Sequence, residues 1–246
     1  MNSISFSYDD SFSLNTINLE FKSGTIYSLL GKNGSGKTTL FKLLLNFIKP
    51  CEGSISIDNS NYDSICNLSK QIAYVPQINS LNSDLSVFDF ILLGRNPYIN
   101  YFQTPRKIDV KKTYEVIEYT NLSNIKLKPL NTLSGGQMQL VSIARALNQD
   151  TDFIVLDEPS SSLDIDHQHS IFSLLSHMSY SENKCIIFST HDPSIALKYS
   201  DESILLKKGH VLINGPSNSI LTKNNLSKIY TSFSDNNSIA LTTGTF

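Results

Sequence analysis

The sequence predicts an α/β fold, a mixed sheet with an antiparallel β subdomain plus an inserted α-helical subdomain. Three observations carry that prediction. Short apolar runs at Ile26–Leu30, Phe153–Leu156 and 185–189 have the length of buried strands. The N-terminal segment alternates apolar and polar residues around turns. Between about 78 and 148 the strand pattern gives way to capped amphipathic helices. The 246 residues are 40% hydrophobic and 17% charged, the composition of an ordinary globular protein with room for one large α/β domain or two small ones. No repeat or linker divides the chain. It reads as one domain with a core lobe over about 1–77 and 149–246 and a helical lobe over about 78–148.

Taken in order, Ile4, Phe6 and Tyr8, then Leu14, Ile17, Leu19 and Phe21, predict short antiparallel strands. Ile26–Leu30 runs into Gly31 and feeds a glycine-rich loop. From Lys37 onward, Leu40, Leu43, Leu44 and Phe47 recur at helical spacing, with Pro50 as the expected stop. Over 53–58, Ile55 and Ile57 share one face, and 71–75 is a further strand. Ser86 and Asp89 form a capping box ahead of Val87, Phe88, Ile91 and Leu92, and Gly94 is expected to close that helix. Asp109 is the expected cap of a second helix carrying Val110, Thr113, Tyr114 and Ile117. A hairpin over 204–213 turns at Lys208-Gly209. The tail from Asn214 is rich in Ser, Asn and Thr, with one apolar segment at Leu226, Ile229 and Tyr230.

Composition disfavours several classes. The net charge of −2 and a pI of about 6.2 offer no basic field for nucleic acid. The apolar runs are far too short to cross a bilayer, and Met1-Asn2-Ser3-Ile4 lacks the regions of a signal peptide. Cys51, Cys66 and Cys185 are widely spaced and cannot all pair. They read as three buried small hydrophobes in a reducing cytoplasm.

The chemistry is concentrated in a few segments. A polyphosphate needs many hydrogen-bond donors at short range without bulky side chains in the way. In Gly31-Lys32-Asn33-Gly34-Ser35-Gly36-Lys37-Thr38, the glycines let the backbone turn its N–H groups inward, and the following helix points its positive end at the same charge. Lys37 would reach the β- and γ-phosphates, Thr38 would offer its hydroxyl to Mg²⁺, and Asn33, Ser35 and Thr39 belong to the same binding loop. Asp157 and Glu158 end a strand that Pro159 prevents from continuing, and strand ends are where ligands sit in α/β sheets. Asp157 is the expected Mg²⁺ carboxylate, leaving Glu158 to polarise the attacking water as general base. Gln77 can ligate the metal or the water. His191 can hydrogen-bond a γ-phosphate oxygen and Glu158. Tyr8 can stack on adenine. His167 and His169 form a His-x-His pair with no third ligand and read as an exposed helix start. No Asn-Lys-x-Asp sequence exists for reading guanine.

A second anion site lies at Leu133-Ser134-Gly135-Gly136-Gln137. Ser134 is an N-cap with Gln137 three residues on, at the positive end of a helix carrying Leu140, Val141, Ala144 and Leu147. Two phosphate-binding ends therefore accompany one phosphate loop. This set of motifs resembles the ATP-binding cassette ATPases, in the family's order. Tyr8 resembles the adenine-stacking aromatic, Gln77 the Q-loop, 133–137 the signature, 160–164 the D-loop and His191 the switch histidine. The resemblance implies a P-loop NTPase core, ATP with Mg²⁺, and a head-to-tail dimer. In that dimer Ser134, Gly135, Gly136 and Gln137, with Asp164 of the D-loop, complete the nucleotide site of the second copy. Met138 and Leu140 depart from the basic residues frequent at those positions, and Ser162 from the usual Ala.

Gly94-Arg95-Asn96-Pro97-Tyr98, followed by Ile99-Asn100-Tyr101-Phe102, resembles a segment of the bacterial metal-chelate importer ATPases. Those importers take up ferric siderophores, haem, cobalamin and, in some members, molybdate or tungstate. As structure alone, Arg95 and Pro97 read as a helix stop and a surface turn. The implied partners are a second copy, an integral membrane permease on separate polypeptides and, indirectly, an extracytoplasmic substrate-binding protein, with no nucleic acid. The implied place is the cytoplasmic face of the cell membrane. A soluble cassette ATPase acting on DNA or ribosomes is disfavoured, since the chain has one cassette and no long coiled coil. An exporter subunit is disfavoured by the Gly94-Arg95 segment.

Overall fold

The computed structural model describes residues 1–8, 12–57, 60–61, 68–77, 83–100, 102–161 and 163–230. The expectations placed on Asp58, Cys66, residue 78, Tyr101, Ser162 and the last part of the tail lie outside these residues.

Alternation in the first segment produces β1 (Asn2–Tyr8) and β2 (Phe12–Ile17), paired antiparallel with Ile4 opposite Ile17 and Phe6 opposite Leu14. The apolar run β3 (Ile26–Leu30) leads through the glycine loop into α1 (Lys37–Leu44). That helix ends well before Pro50. Asn46 turns left-handed at φ 56°, and the Phe47 N–H bonds to Lys42 O at 2.8 Å, so the C-cap stops it rather than the proline. Phe47 is consequently outside the helix and 65% exposed. The short strand β4 (Glu52–Ser54) joins β1 in a three-stranded sheet of order β2-β1-β4, and β5 (Ser56–Ile57) pairs with β6 (Ser60–Asn61).

Four more apolar strands follow: β7 (Ile72–Val75), β8 (Phe153–Leu156), β9 (Cys185–Thr190) and β10 (Glu202–Lys207); β11 (His210–Pro216) returns from β10. Their six-stranded sheet has the order β11-β10-β3-β9-β8-β7, antiparallel only between β10 and β11. The β10–β11 turn uses Lys208 at φ 47° and Gly209 at φ 79°, the two positive values a tight hairpin turn requires. Parallel strands are covered on both faces, and alternate residues show it. Tyr27, Leu29, Val155 and Ile187 pack with Leu40 and Phe41 of α1 and with Ile4, Leu14 and Ile17 of the antiparallel sheet. Ile26, Ile154, Leu156, Ile186 and Phe188 pack on the other side.

That other side is covered by helices. Between β7 and β8 come α2 (Val87–Leu92), α3 (Lys107–Tyr119) and α4 (Gly135–Asn148), and after β8 comes α5 (Ile165–Glu182). Ile143, Ala146 and Leu147 of α4 and Phe172 and Leu175 of α5 meet the sheet, while Val141 and Ala144 of α4 join Val87, Ile91, Ile117 and Leu130 in a cluster of their own. The chain finishes with α6 (Pro193–Tyr199), α7 (Ser217–Ile220) and α8 (Lys223–Ser227), where Leu226 and Ile229 pack on Leu30, Ala196 and Leu205. Among the described residues, no helix is long and apolar enough to cross a membrane.

Three local expectations change. Gly94 does not close α2, because the backbone continues as a 3₁₀ turn over Leu93–Tyr98. A Cβ at Gly94 would lie 2.3 Å from Arg145 O in α4, so glycine is required there for close helix approach. Asp109 does not occupy the N-cap. It sits in the first turn of α3, fully buried, and accepts the Arg106 N–H at 3.0 Å. Arg95 is buried rather than on a surface turn. Its Nε is 3.3 Å from Asp109 Oδ1, its Nη1 donates to Asn148 O at 2.9 Å, and its guanidinium stands 4.1 Å from the Tyr98 ring centre. Of the two described cysteines, Cys185 is buried as expected and Cys51 is exposed.

Candidate active site

The turn from β3 to α1 places residues 31–36 at the C-terminal end of a central parallel strand. Gly36, at φ 110°, is the N-cap of α1, and a Cβ there would come within 2.8 Å of the Phe12 ring. The first N–H groups of α1 have no partner inside the helix and remain available at its positive end. They open on a cleft of about 490 Å³ lined by Tyr8, Phe12, Asn33, Gly34, Gly36, Lys37, Thr38, Thr39, Gln77, Asp157 and Glu158. Gly31 lies beneath it, holding the Lys37 ammonium through its carbonyl at 2.9 Å. Ser35 faces away. Its side chain is 5% exposed and lies against Gly31, on the underside of the loop.

The end of β8 supplies the carboxylates. Thr38 Oγ1 donates to Asp157 Oδ2 at 2.9 Å, tying the first turn of α1 to the strand end. Ser189 on the adjacent β9 donates to Asp157 Oδ1 at 2.6 Å and accepts the Glu158 N–H at 2.8 Å. Glu158 has φ 47°, a conformation that costs a non-glycine residue of order 1–3 kcal/mol and tends to occur at functional positions. Its carbonyl is held by Ser161, whose Oγ donates at 2.9 Å.

Three side chains converge on the Glu158 carboxylate. Lys37 Nζ is 3.6 Å from Oε1, Gln77 Nε2 donates to Oε2 at 3.3 Å, and His191 Nδ1 is 3.6 Å from that same Oε2. Gln77 follows β7 and His191 follows β9, so neighbouring strand ends bring them together. Glu158 is 14% exposed and His191 63%, so the carboxylate is sheltered and the imidazole sits at the rim.

The second helix start expected to bind an anion is elsewhere. Ser134 Oγ accepts the Gln137 N–H at 3.3 Å and Gln137 Oε1 accepts the Ser134 N–H at 3.2 Å, closing the capping box on α4. Ser134 and Gly135 are exposed, and none of Ser134, Gly135, Gly136 and Gln137 lines the cleft. Asp164 is also outside it, as the N-cap of α5. Met138 is buried in the α2–α4 cluster and Leu140 packs between that cluster and the sheet, so these two side chains do packing work. His167 and His169 are exposed on α5, as expected, and no group of three or more His, Cys, Asp or Glu among the described residues could hold a metal by itself.

Three residues escape a reading of the sequence. Phe12 faces Tyr8 across the β1–β2 pairing and lines the cleft, but in sequence it looks like one more alternating apolar residue. Ser189 directly follows the apolar run that ends at Phe188 and looks like an ordinary strand-end residue. Tyr230 brings its buried hydroxyl to the backbone N–H of Gly31, and burial, with Asp192 and Glu158 nearby, pushes that hydroxyl up to about 12. The aromatic at the end of an apolar tail segment is its only sequence signal.

A glycine loop between a parallel strand and a helix, an enclosed lysine and two carboxylates at a nearby strand end define a P-loop nucleoside triphosphatase. Residues 14–161 match the model of the ABC transporter family. An uncharacterised ABC transporter ATP-binding protein of Methanocaldococcus jannaschii is 38% identical, over 92% of this chain and 89% of its own. The molybdate import ATP-binding protein MolC of Haemophilus influenzae is 34% identical over 90% and 83%. Among solved structures, an inward-facing ABC transporter assigned to the metal-chelate type superposes with a TM-score of 0.84 at 34% identity, over 93% of this chain and 86% of that one. The chain belongs to the ABC transporter family and is one of its ATP-hydrolysing cassettes.

Proposed function

We propose that this cassette is the ATPase subunit of a bacterial importer that takes up a metal chelate through a separate permease. Ferric siderophore, haem, cobalamin and molybdate or tungstate are the cargo classes. The observation that carries the chemistry is the convergence of Lys37, Gln77 and His191 on the Glu158 carboxylate, beside an Asp157 bonded to Thr38. The importer assignment is supported by the Gly94–Tyr98 segment and by the likeness to a metal-chelate type transporter.

In this reading Tyr8 stacks on adenine, and the loop backbone at Asn33, Gly34 and Gly36, with Lys37 and Thr39, holds the phosphates, while Gly31 and Ser35 shape the loop from beneath. Thr38, Asp157 and Gln77 form an oxygen-donor set suited to a hard cation, too small to enclose it without the substrate's own phosphate oxygens. Mg²⁺ held there would neutralise charge on the β- and γ-phosphates. Glu158 accepts a proton from the attacking water, Gln77 and His191 orient that carboxylate, and His191 contacts the γ-phosphate. Lys37 leaves Gly31 O and Glu158 to reach the phosphate.

Ser134 and Gly135, which are exposed, with the half-buried Gly136 and Gln137 and with Asp164, serve the site of a second copy in this reading; none of them lines the cleft of its own chain. Closure of such a head-to-tail pair on ATP, and its opening after hydrolysis, would drive the permease. The cytoplasmic helices of that permease would sit between the core lobe (about 1–77 and 149–246) and the helical lobe (about 78–148) near Gln77. This places the subunit at the cytoplasmic face of the membrane, with a substrate-binding protein outside as an indirect partner. The test is recovery of tagged Glu158→Gln protein from detergent-solubilised native membranes with Mg-ATP. A multi-helix permease with an extracytoplasmic binding protein is the expected result, and ribosomes, DNA-bound proteins or no membrane protein would refute the assignment.

A further inference from the structure

We propose that His167 is a positioning residue that joins the D-loop to the signature loop of the same chain, coupling the two half-sites that each copy contributes. The proposal rests on the sandwich dimer described above. His167 Nδ1 lies 2.8 Å from Asp164 Oδ1, and the His167 backbone N–H donates to the same oxygen at 2.9 Å. A carboxylate can only accept, so the proton sits on Nδ1 and the ring plane is set by the cap of α5.

Held in this way, the ring edge lies against the signature loop. A methyl group built on Gly136 would be 3.2 Å from His167 Cδ2, 3.3 Å from Cγ and 3.5 Å from Leu163 Cδ2. At Gly135, one residue earlier, nothing lies within 4 Å of the same position. The loop therefore has an open side, at Ser134 and Gly135, and a side packed on the D-loop segment through His167 and Leu163. The N–H groups of a helix start bind an anion only if they are aimed at it, so the packed side sets how the open side points.

Asp164 in turn follows from Glu158. The Glu158 carbonyl accepts both the Ser161 hydroxyl at 2.9 Å and the Ser161 N–H at 3.1 Å, and the Leu163 N–H bonds to Ser160 O at 3.3 Å. A shift of Glu158 on its own nucleotide is transmitted through this turn, Asp164 and His167 to the packed side of the loop at Gly136, and so to the open side at Ser134 and Gly135, which faces the nucleotide of the partner. His169 takes no part: its Nδ1 meets Ser173 Oγ at 3.2 Å and its ring meets Tyr199.

The experiment is ATP binding and ATP-dependent hydrolysis of the full chain, as wild type and as His167→Ala, His167→Phe and His169→Ala. Wild type is expected to show a Hill coefficient approaching 2, the number of sites in the pair. His167→Ala should keep ATP affinity within about twofold, since the residue does not line the cleft, while maximal turnover falls about tenfold and the Hill coefficient drops towards 1. His167→Phe, which keeps a ring against Gly136, should recover part of both, and His169→Ala should match wild type. Unchanged turnover and cooperativity in His167→Ala would overturn the proposal. So would a fall in ATP affinity in step with turnover, the mark of a residue that serves only the fold. A Hill coefficient of 1 in wild type would instead overturn the sandwich reading, and the coupling with it.

Discussion

Ser189 and Asp157 are joined by a buried hydrogen bond of 2.6 Å, and the same Ser189 oxygen accepts the backbone N–H of Glu158. One hydroxyl on β9 thus aims the carboxylate of one residue at the end of β8 and anchors the backbone of the next. A hydrogen bond to a charged group contributes about 1.5–3 kcal/mol, so part of that orientation is lost with it. Ser189→Ala is expected to lower turnover about tenfold with ATP still bound, as measured by steady-state hydrolysis and nucleotide titration. Wild-type turnover in this variant would show that strand pairing alone orients Asp157.

Removing the charge of Glu158 tests its assignment directly. Glu158→Gln preserves the shape of the side chain but cannot take a proton from water, so turnover is expected to fall by roughly 10²–10⁴ with ATP binding retained. Hydrolysis at the wild-type rate would exclude Glu158 as the base.

Lys37 is 6% exposed and lies between Gly31 O and Glu158, where no other cation of the cleft lining can replace it. Lys37→Ala is expected to abolish productive ATP binding in an equilibrium titration. A normal ATPase rate would contradict the phosphate-loop role.

The Arg95–Asp109 pair tests stability rather than catalysis. Removing one partner of a buried pair costs about 3–5 kcal/mol, so Asp109→Ala should lower the urea midpoint strongly and Asp109→Asn less. Burial alone would raise the Asp109 carboxyl, but the Arg106 N–H and the guanidinium groups of Arg106 and Arg95 outweigh it and hold the group below the usual carboxylate range. Its contribution is therefore complete above an unfolded pKa of about 3.9 and is lost as pH falls through the lower folded value. Wild type should lose stability across that acid window, and Asp109→Asn should lose less. Equal losses, measured by urea unfolding at several pH values, would remove Asp109 as a contributor.

Gly94 faces a backbone carbonyl that cannot rotate away. Gly94→Ala should therefore push apart the 3₁₀ turn and α4, destabilising the chain by about 1–3 kcal/mol. An unchanged melting temperature would mean that α4 can yield at Arg145.

Much of this was legible along the chain. Buried strands, the glycine loop, the hairpin at Lys208-Gly209, the N-cap at Ser86 and the capping box at Ser134 are set by residues a few positions apart, so local patterns suffice to find them. At Ser86 the box stays half made, because the Asp89 carboxylate accepts the Ser86 hydroxyl rather than its N–H. Lys37, Gln77, Glu158 and His191 were also recognisable, because each sits at the end of a strand or in the phosphate loop. Two of the errors share a cause. Pro50 and Gly94 looked like helix stops because both residues end helices locally. Asn46 had already closed α1, however, and Gly94 answers to a helix about fifty residues away.

The sequence by itself determined the order of the elements, the phosphate loop and the presence of two glycine-bearing helix starts in one chain. Only the tertiary structure decided that Arg95 is buried on Asp109, that Ser189 holds Asp157, that Tyr230 reaches Gly31 and that His167 supports Gly136. The physical reason is range. Periodicity and capping act through neighbouring backbone groups. Burial, ion pairing and close backbone approach depend on which distant segments the sheet order and helix packing bring into contact.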